Sequence, residues 1–337
     1  MDSVLSRPAP EQAAPAPGVL RREWEKSTPL RGHFGLVYRT PGEFVREVSS
    51  FVAGGVESGE RVLVALPGEK IDVIRSALTS ARDVRFVDMY WSGRNPARMI
   101  PTIRSFLDEQ PGRRARLVGE PLWPGRSSAE IAEVAETEFL SNLAFRDDDV
   151  AVLCPYDASL LSSAIVRECC ENTHPHIIER EENLRAGGYD GPGDLSSWDR
   201  HPLEPPPPEA SVTELGIRGL GRLRVRLNES AKEAGLSPSR TADLVLAATE
   251  VATNALVHGS GRASVRIWVE RERPAVVCEV SDRGRISDPL VGRRRPAVDA
   301  EGSRGLWLVN QLCDLVQLRS GEQGTVVRMR FDGATRS

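Results

Sequence analysis

The sequence predicts two α/β domains joined by a proline-rich linker. The chain has 337 residues, and a typical domain has roughly 150. In the first half, short apolar runs alternate with stretches of helical spacing, whereas in the second half two long helices precede a series of strands. A segment rich in Gly and Pro separates the halves. We therefore predict a flexible tail at 1–28, a first domain at 29–185, a linker at 186–210 and a second domain at 211–333.

The composition excludes several functional classes. Lys and Arg number 44 against 48 Asp and Glu, and the net charge is -4, which argues against direct nucleic-acid binding. No run approaches the roughly 18 apolar residues of a membrane span, and the N-terminus lacks the apolar core of a signal peptide. We expect a cytoplasmic protein that contacts no membrane.

The five cysteines are too few for a disulfide framework, and a reducing compartment would keep them as thiols. Cys169 and Cys170 precede His174 and His176, but the paired Cys-x-x-Cys spacing of a zinc site is missing. Buried thiols are the favoured interpretation.

The first domain is predicted to contain a parallel sheet with helices on both faces. Residues 61–67, 84–90, 115–121 and 150–157 have the continuous apolar character of buried parallel strands, and residues 43–57 and 128–143 have helical spacing. Ligands of such sheets lie beyond the carboxyl ends of the strands. This rule selects a set of candidates, each of which is alternatively a structural residue at a strand end: Asp88, Tyr90, Glu120, Trp123, Tyr156 and Asp157.

A phosphate loop is missing from this domain. The nearest segment, residues 67–70, lacks the first glycine and the hydroxyl that would hold magnesium. Residues 32–67, with the later CPYD and THPH segments, resemble the sensory domain named for methanogens and methylotrophs (MEDS) over about residues 31–180. The resemblance implies a RecA-like fold that senses a small molecule. His33 would then face the ligand pocket, or it is a hydrogen-bonded core or surface histidine.

The second domain contains a long helix with a distinctive polar face. Ser237 and Pro238 predict its start, and the helix should continue to His258 before Gly259 stops it. Glu250, Asn254 and His258 recur every four residues and therefore share one face. A carboxylate and a carboxamide one turn apart offer hard oxygen ligands that suit magnesium beside phosphate. From this helix alone, a solvent-facing polar surface is the simpler interpretation.

Three segments further along the chain change that balance. A predicted strand ends in Asp282 and Gly284, where a carboxylate can accept the exocyclic amine of adenine and the glycine allows close backbone approach. A glycine-flanked turn then opens a helix, whose N-terminal amides can hold phosphate. The residues of that turn are Gly302, Ser303, Arg304 and Gly305. Finally, Gly324 and Thr325 open the last strand.

In this order and spacing, the four segments resemble the nucleotide-binding boxes of the GHKL ATPase superfamily, most closely the anti-sigma factor/serine kinase family of bacterial partner switching. The resemblance covers about residues 211–331. It implies a Bergerat-type α/β sandwich, a mixed sheet backed by helices, with ATP and Mg²⁺ under a flexible lid. Asn254 would hold magnesium, Glu250 would be the general base and Asp282 would recognise adenine. The other residues of the implied ATP site are His258, Gly284, Gly302, Ser303, Arg304, Gly305 and Thr325.

One position departs from the family pattern. The family often has a second glycine where this chain has Arg285, and arginine adopts positive φ less easily than glycine, so ATP binding is better supported than ATP turnover. In the lid, Arg293, Arg294 and Arg295 are interpreted as a solvated charge run or as ligands of phosphate oxygens.

The resemblances together imply a regulator that works by partner switching. Its second domain would bind ATP and Mg²⁺, sequester a sigma factor and phosphorylate Ser or Thr of a STAS-type anti-sigma-factor antagonist, while a small-molecule ligand of the first domain tunes this activity. The alternative is a non-catalytic ATP-binding interaction module. A histidine kinase is less favoured, because His174 and His176 flank a proline and no histidine lies on a predicted dimerisation helix. A homodimer is compatible with these interpretations.

Overall fold

The structure is a computed structural model that describes residues 30–80, 82–180, 182–189, 191, 201–259, 261–296 and 304–333. The predicted tail at 1–28 lies outside the described residues. So do residues 190 and 192–200 of the predicted linker, and the site candidates Gly302 and Ser303.

The first sheet has seven strands in the described chain: β1 (Gly32–Tyr38), β2 (Arg61–Leu66), β3 (Val84–Asp88), β4 (Ala115–Gly119), β5 (Val150–Asp157), β6 (His176–Glu179) and β7 (Glu182–Arg185). Their spatial order is β3-β2-β4-β5-β1-β6-β7. The first six strands pair in parallel, and β7 is antiparallel to β6. The predicted RecA-like parallel sheet is confirmed.

Helices cover both faces of this sheet. They are α1 (Pro41–Glu57), α2 (Gly68–Ala77), α3 (Met89–Ser92), α4 (Met99–Asp108), α5 (Ser128–Ala144) and α6 (Ser163–Val166), with a 3₁₀ turn at Pro96–Arg98 and a π turn at Arg167–Glu171. Adjacent strand residues such as Val62 and Leu63 belong to separate cores, one under α1 and α2 and the other under α4 and α5. Two-sided burial explains why these strands are continuously apolar in the sequence.

The second sheet contains β8 (Ser211–Leu215), β9 (Ala263–Glu270), β10 (Ala275–Asp282), β11 (Leu315–Gly321) and β12 (Gly324–Asp332), in the order β11-β12-β10-β9-β8. The resemblance implied a mixed sheet, but every pairing described in this sheet is antiparallel, so that detail is wrong. The helices are α7 (Leu220–Glu233), α8 (Pro238–His258) and α9 (Arg304–Leu312), and a 3₁₀ turn at Ile217–Gly219 precedes α7. They share one hydrophobic core with the sheet. This is the predicted two-layer α/β sandwich.

Among the described helices, none combines the length and the apolar character needed to cross a membrane.

Candidate functional site

Helix α8 carries Glu250 and Asn254. It begins after Ser237, whose side chain caps the first turn, and it ends at His258 before Gly259, as predicted. One face of the helix is buried in the core through Leu244, Ala247, Ala248, Val251 and Ala255. Glu250 and Asn254 are half-buried and lie one turn apart on a neighbouring face.

Helix α9 begins against these two side chains. A Cβ atom added at Gly305 would lie 3.0 Å from Asn254 Nδ2 and 3.2 Å from Glu250 Oε2. Glycine at this position therefore allows the first turn of α9 to touch the polar face of α8. Arg304, the first residue of α9, is exposed. The structure thus brings together the α8 pair and Gly305, which are about 50 residues apart in the sequence.

Asp282 ends β10 in a corner formed by glycines. Its Oδ1 atom accepts the N–H of Gly284 at 2.5 Å. A Cβ at Gly259 would lie 2.4 Å from the same Oδ1 atom, and a Cβ at Gly324, which has φ +118°, would lie 2.1 Å from the Asp282 carbonyl oxygen. Burial raises the pKa of Asp282, and the Gly284 N–H and exposed His258 lower it by less. The corner needs glycines because backbone surrounds the carboxylate.

Thr325 lies opposite Asp282 in the pairing of β10 with β12. Its hydroxyl donates to the Gly284 carbonyl oxygen at 2.8 Å and lies 2.8 Å from Ser320 Oγ. These contacts tie the loop after Asp282 to the last strand. In the Asp-x-Gly-x-Gly pattern that starts at Asp282, the second glycine falls at Ile286, so the assignment of the departure to Arg285 is wrong by one residue. Neither residue adopts positive φ, so the backbone of this loop does not require a glycine at either position.

The segment between β10 and α9, which corresponds to the predicted lid, packs against α5 of the first domain. Leu290 is buried within the core of that domain. Arg293 donates to Thr137 Oγ1 at 2.8 Å and lies 3.7 Å from the Glu133 carboxylate. Arg319 on β11 pairs with the same carboxylate at 2.8 Å. The interpretation of a solvated charge run is therefore wrong for Arg293, which connects the lid to α5.

The first domain also holds the C-terminal end of α9. Arg98 Nε donates to the Asn310 carbonyl oxygen at 2.9 Å, and Arg98 Nη2 donates to the carbonyl oxygens of Gln311 and Cys313, both at 2.7 Å. A guanidinium satisfies the free carbonyls of a helix end and complements its partial negative charge. Helix α9 thus touches the polar face of α8 at its start and the first domain at its end.

His33 on β1 lies in a buried cluster with Glu138 of α5, Cys154 of β5 and His174. His33 Nε2 is 3.0 Å from Glu138 Oε2 and 3.3 Å from Cys154 Sγ, and His174 Nε2 is 3.2 Å from Glu138 Oε2. An apolar cavity of about 30 Å³ borders His33, Glu138 and Cys154. Glu138 and Cys154 were not predicted, because no spacing in the sequence relates residues on these separate elements.

The two cysteines and two histidines that lie close together in the sequence, Cys169, Cys170, His174 and His176, do not form one cluster in the structure. Of the four residues, only His174 joins the cluster around His33. Cys169 and Cys170 are buried thiols nearby, and the His176 ring stacks on Phe34 with centroids 5.4 Å apart. Burial lowers the pKa of His174 to about 4, so its ring is neutral at pH 7.

Glu120 is buried at the carboxyl edge of the first sheet. It accepts hydrogen bonds from the Tyr38 hydroxyl at 3.2 Å and from the Lys70 ammonium. Burial raises the pKa of Glu120 to about 7, and the neighbouring Lys70 and Tyr38 lower it by less. Lys70 belongs to the segment that lacks a complete phosphate loop, so this edge holds a charged pair without the glycine loop that would cradle phosphates.

The other strand-end candidates have structural contacts. Strand β3 ends at Asp88, which caps α3 by accepting the N–H of Tyr90 at 2.9 Å. Tyr90 therefore lies on α3 rather than on a strand, and its ring meets Trp123 edge to face with centroids 5.3 Å apart. Tyr156 is fully buried. Asp157 Oδ1 accepts the N–H of Ser159, two residues later in the same turn, at 2.9 Å. Their roles in ligand binding stay predictions.

Two family models match the chain. Residues 32–175 match the MEDS model, described as the methanogen/methylotroph, DcmR sensory domain. Residues 199–331 match the model of the histidine kinase-like ATPase domain. The chain is therefore a two-domain protein in which a sensory domain precedes an ATPase-type domain. Specifically, it carries an N-terminal MEDS domain and a C-terminal GHKL-like domain, as the resemblances indicated.

Two solved structures that resemble the chain are distant likenesses. One solved ATPase domain is 12% identical, with a TM-score of 0.33, and the match covers 48% of this chain and 78% of that one. The RsbU and RsbW domains of Rv1364c from Mycobacterium tuberculosis are 19% identical, with a TM-score of 0.27, and cover 63% of this chain. This chain spans 51% of the latter structure's length. With TM-scores this low, neither likeness bears on function. No curated protein matches the chain.

Proposed function

We propose that this chain is an ATP-binding regulator whose nucleotide site lies between α8, the Asp282 corner and the start of α9, and whose first domain controls that site. The contact of Gly305 with Asn254 and Glu250 is the observation that carries the proposal. It unites two of the sequence motifs within a domain that matches the histidine kinase-like ATPase model.

Asp282 is suited to recognise adenine. As a carboxylate it accepts hydrogen bonds, and the exocyclic amine of adenine donates them. The surrounding glycines, Gly259, Gly284 and Gly324, place backbone rather than side chains against this residue. Because the raised pKa of Asp282 reflects partial desolvation, a hydrogen bond to its charged form is stronger than one in water.

Asn254 and Glu250 are suited to the phosphate end of the nucleotide. Their oxygens are the hard ligands that Mg²⁺ prefers, and the neighbouring Gly305 supplies a backbone surface at a helix N-terminus. Asn254 would hold the ion, which neutralises charge on the phosphates. Glu250 would accept the proton of a substrate hydroxyl. The hydroxyl oxygen would then form a bond to the γ-phosphorus. At the same time the bond between the γ-phosphorus and the bridging β-phosphate oxygen breaks, and ADP leaves.

The position of α9 gives the first domain control of this site. Gly305 touches Asn254, so phosphates can occupy that space only if the start of α9 shifts away. Arg98 holds the other end of α9, and Glu133 and Thr137 hold the lid through Arg293. A small molecule that repacks α5 would loosen or tighten both attachments. The docked arrangement described here is thus the state of lower nucleotide affinity.

The finer assignment follows the family resemblance. The phosphorylated substrate would be Ser or Thr of a STAS-type anti-sigma-factor antagonist, and the sequestered partner would be a sigma factor. A histidine phosphoacceptor fits the structure poorly. His33 and His174 are buried, and His201 pairs with Glu168 at 2.9 Å. The His176 ring stacks on Phe34, and His258 ends the helix that carries the proposed nucleotide site. The second candidate is a non-catalytic ATP-binding module, in which the half-buried Glu250 serves only to contact Gly305.

Phosphotransfer separates the two candidates. The full chain is incubated with γ-labelled ATP, Mg²⁺ and a STAS-type antagonist, and the label on the antagonist is counted. Glu250→Gln should lose transfer and keep ATP binding, whereas Thr253→Ala, an exposed position on the same helix, should retain both. Transfer at the wild-type rate by Glu250→Gln would contradict the role of Glu250 as base. Absence of transfer with wild-type protein that binds both ligands would favour the non-catalytic module.

A further inference from the structure

The buried cluster in the first domain has an unusual arrangement of hydrogen-bonding groups. For His33, the amide of Asn142 settles which ring nitrogen carries the proton. Asn142 Nδ2 donates to the carbonyl oxygens of Thr173 at 2.8 Å and Glu138 at 3.2 Å, so its Oδ1 is the atom that faces His33 Nδ1 at 3.1 Å. His33 Nδ1 must therefore donate, and a ring that carries no second proton presents a lone pair at Nε2.

His174 is oriented in the same way. Its Nδ1 lies 3.0 Å from the Cys170 carbonyl oxygen, which can only accept, and 2.8 Å from the Thr173 hydroxyl. Because that hydroxyl donates its hydrogen to the Cys169 carbonyl oxygen at 2.7 Å, Nδ1 carries the proton. Its Nε2 then also presents a lone pair. Gly35 makes this approach feasible, because a Cβ there would lie 2.3 Å from Cys170 Sγ and 3.4 Å from His174 Cγ. The backbone of β1 is thus shaped to bring this histidine toward His33.

Acceptors crowd the centre of the cluster. Both Nε2 atoms lie within 3.2 Å of Glu138 Oε2, which is itself an acceptor when ionised. The Cys154 thiol, a weak donor, lies 3.3 Å from His33 Nε2. Glu138 Oε1, Glu138 Oε2 and His174 Nε2 are buried atoms without a hydrogen-bond partner. Groups of this kind are costly to bury unless a cation lies among them.

We propose that His33, Glu138, Cys154 and His174 bind a divalent transition-metal ion of the zinc class. Their donor atoms all lie within 4.8 Å of one another. In a tetrahedral zinc site with bonds of about 2.0–2.3 Å, donor atoms lie about 3.3–3.7 Å apart. The contacts of 3.0, 3.2 and 3.3 Å among these residues are close to that spacing. Two neutral imidazoles, one carboxylate and one thiolate also balance the charge of a divalent ion.

The surroundings match those of protein metal centres. Metal-binding histidines generally donate their other ring nitrogen to a carbonyl or amide oxygen, which fixes the tautomer. His33 does so to Asn142, and His174 does so to the Cys170 carbonyl oxygen. Imidazole and thiolate ligands favour zinc and related ions over Mg²⁺ or Ca²⁺. This site is separate from the proposed nucleotide site, which uses only residues of the second domain.

Metal content and cobalt spectra test the proposal on the full chain. Protein purified from zinc-supplemented cells should contain about one zinc ion per chain by elemental mass spectrometry, in line with a closed four-ligand site. Exchange for Co²⁺ should give a near-ultraviolet thiolate charge-transfer band together with visible bands of four-coordinate cobalt. Cys154→Ser should remove the charge-transfer band, whereas Cys169→Ser, which alters a buried thiol outside the cluster, should retain it.

Affinity measurements against a chelator provide the second readout. Glu138→Gln removes a ligand and should weaken Zn²⁺ binding by at least about tenfold, and Asn142→Ala, which only frees the His33 ring, should weaken it by about 10–100-fold. The proposal is overturned if wild-type protein binds neither Zn²⁺ nor Co²⁺. It is also overturned if the cobalt charge-transfer band survives in Cys154→Ser. ATP binding does not enter any of these readouts, so their failure leaves the proposed function untouched.

Discussion

Replacing Arg98 with alanine should loosen the hold of the first domain on the C-terminal end of α9, where Asn95 Nδ2 still donates to the Asn310 carbonyl oxygen at 3.0 Å. The guanidinium donates to three carbonyl oxygens, those of Asn310, Gln311 and Cys313, at 2.9, 2.7 and 2.7 Å. Burial lowers the pKa of Arg98, with Asp314 opposing this in part, so the contact is made at some cost in hydration. Alanine removes all three donors at once and adds no new contact.

The magnitude follows from the number and type of these bonds. A hydrogen bond to a charged group contributes about 1.5–3 kcal/mol. The three bonds share one partly desolvated guanidinium, so their contributions do not add fully, and a net loss of about 3 kcal/mol is reasonable. Since 1.4 kcal/mol corresponds to a factor of about ten, the docked state of α9 should become about 100-fold less populated relative to the released state.

Hydrogen exchange of the full chain measures this release. Amides in α9 (Arg304–Leu312) should exchange faster in Arg98→Ala than in wild type, and the variant should bind MgATP more tightly because α9 moves more easily from Asn254. Arg114→Ala is the matched control, since Arg114 is half-exposed and makes one ion pair, to Asp149 at 2.8 Å. Equal α9 exchange and equal ATP affinity in the two variants would refute the coupling of the domains through α9.

Two further predictions concern stability. Glu120 has a folded-state pKa of about 7 against an ordinary value of 4.5, so the folded protein retains a proton that the unfolded chain releases. The free energy of unfolding should therefore fall by about 3 kcal/mol as the pH rises from the ordinary pKa of 4.5 to the folded-state pKa of about 7. Urea titrations at several pH values should show a smaller dependence of the free energy of unfolding on pH in Glu120→Gln. An unchanged dependence would contradict the raised pKa of Glu120. Gly324→Ala should destabilise the protein by about 3 kcal/mol, because φ is +118° and the new Cβ would meet the Asp282 carbonyl oxygen. Gly221 lies at a helical position where a Cβ meets open space, so Gly221→Ala should stabilise the protein by about 0.5–1 kcal/mol. Thermal melts of both variants measure the two effects, and equal changes in stability would contradict the crowding at Gly324.

Periodicity and composition predicted the parallel sheet of the first domain, whereas the sandwich of the second domain followed from the family resemblance, and its first strand, β8, was not predicted. Residues 150–157 were predicted as a strand from their apolar character, and β5 spans Val150–Asp157. The bounds of α8 followed from Ser237, Pro238 and Gly259, because capping and termination are local properties of the chain. Tyr90 was misplaced at a strand end because the apolar run of β3 continues into α3, and the side chain of Asp88 ends the strand earlier.

The contacts between distant elements could not be predicted in this way. Glu138 and Cys154 meet His33 only because β5 lies beside β1 and α5 covers that face, which is a property of strand order. Arg98 and Arg293 look like ordinary surface residues in the sequence. Their partners lie in the other domain, so no local pattern distinguishes a solvated arginine from one that is buried against a distant carboxylate or carbonyl.

The most direct test of the account is calorimetry of MgATP binding to the full chain. Wild-type protein should bind MgATP at one site, and Asn254→Ala should lose most of the magnesium-dependent part of the affinity while still binding ATP weakly without the ion. Asp282→Asn should weaken binding of adenosine nucleotides with or without magnesium, because the amide can no longer offer a charged acceptor to the adenine amine. If wild-type protein binds no adenine nucleotide, or if Asn254→Ala and Asp282→Asn both bind MgATP as wild type does, the nucleotide site proposed between α8, β10 and α9 is wrong.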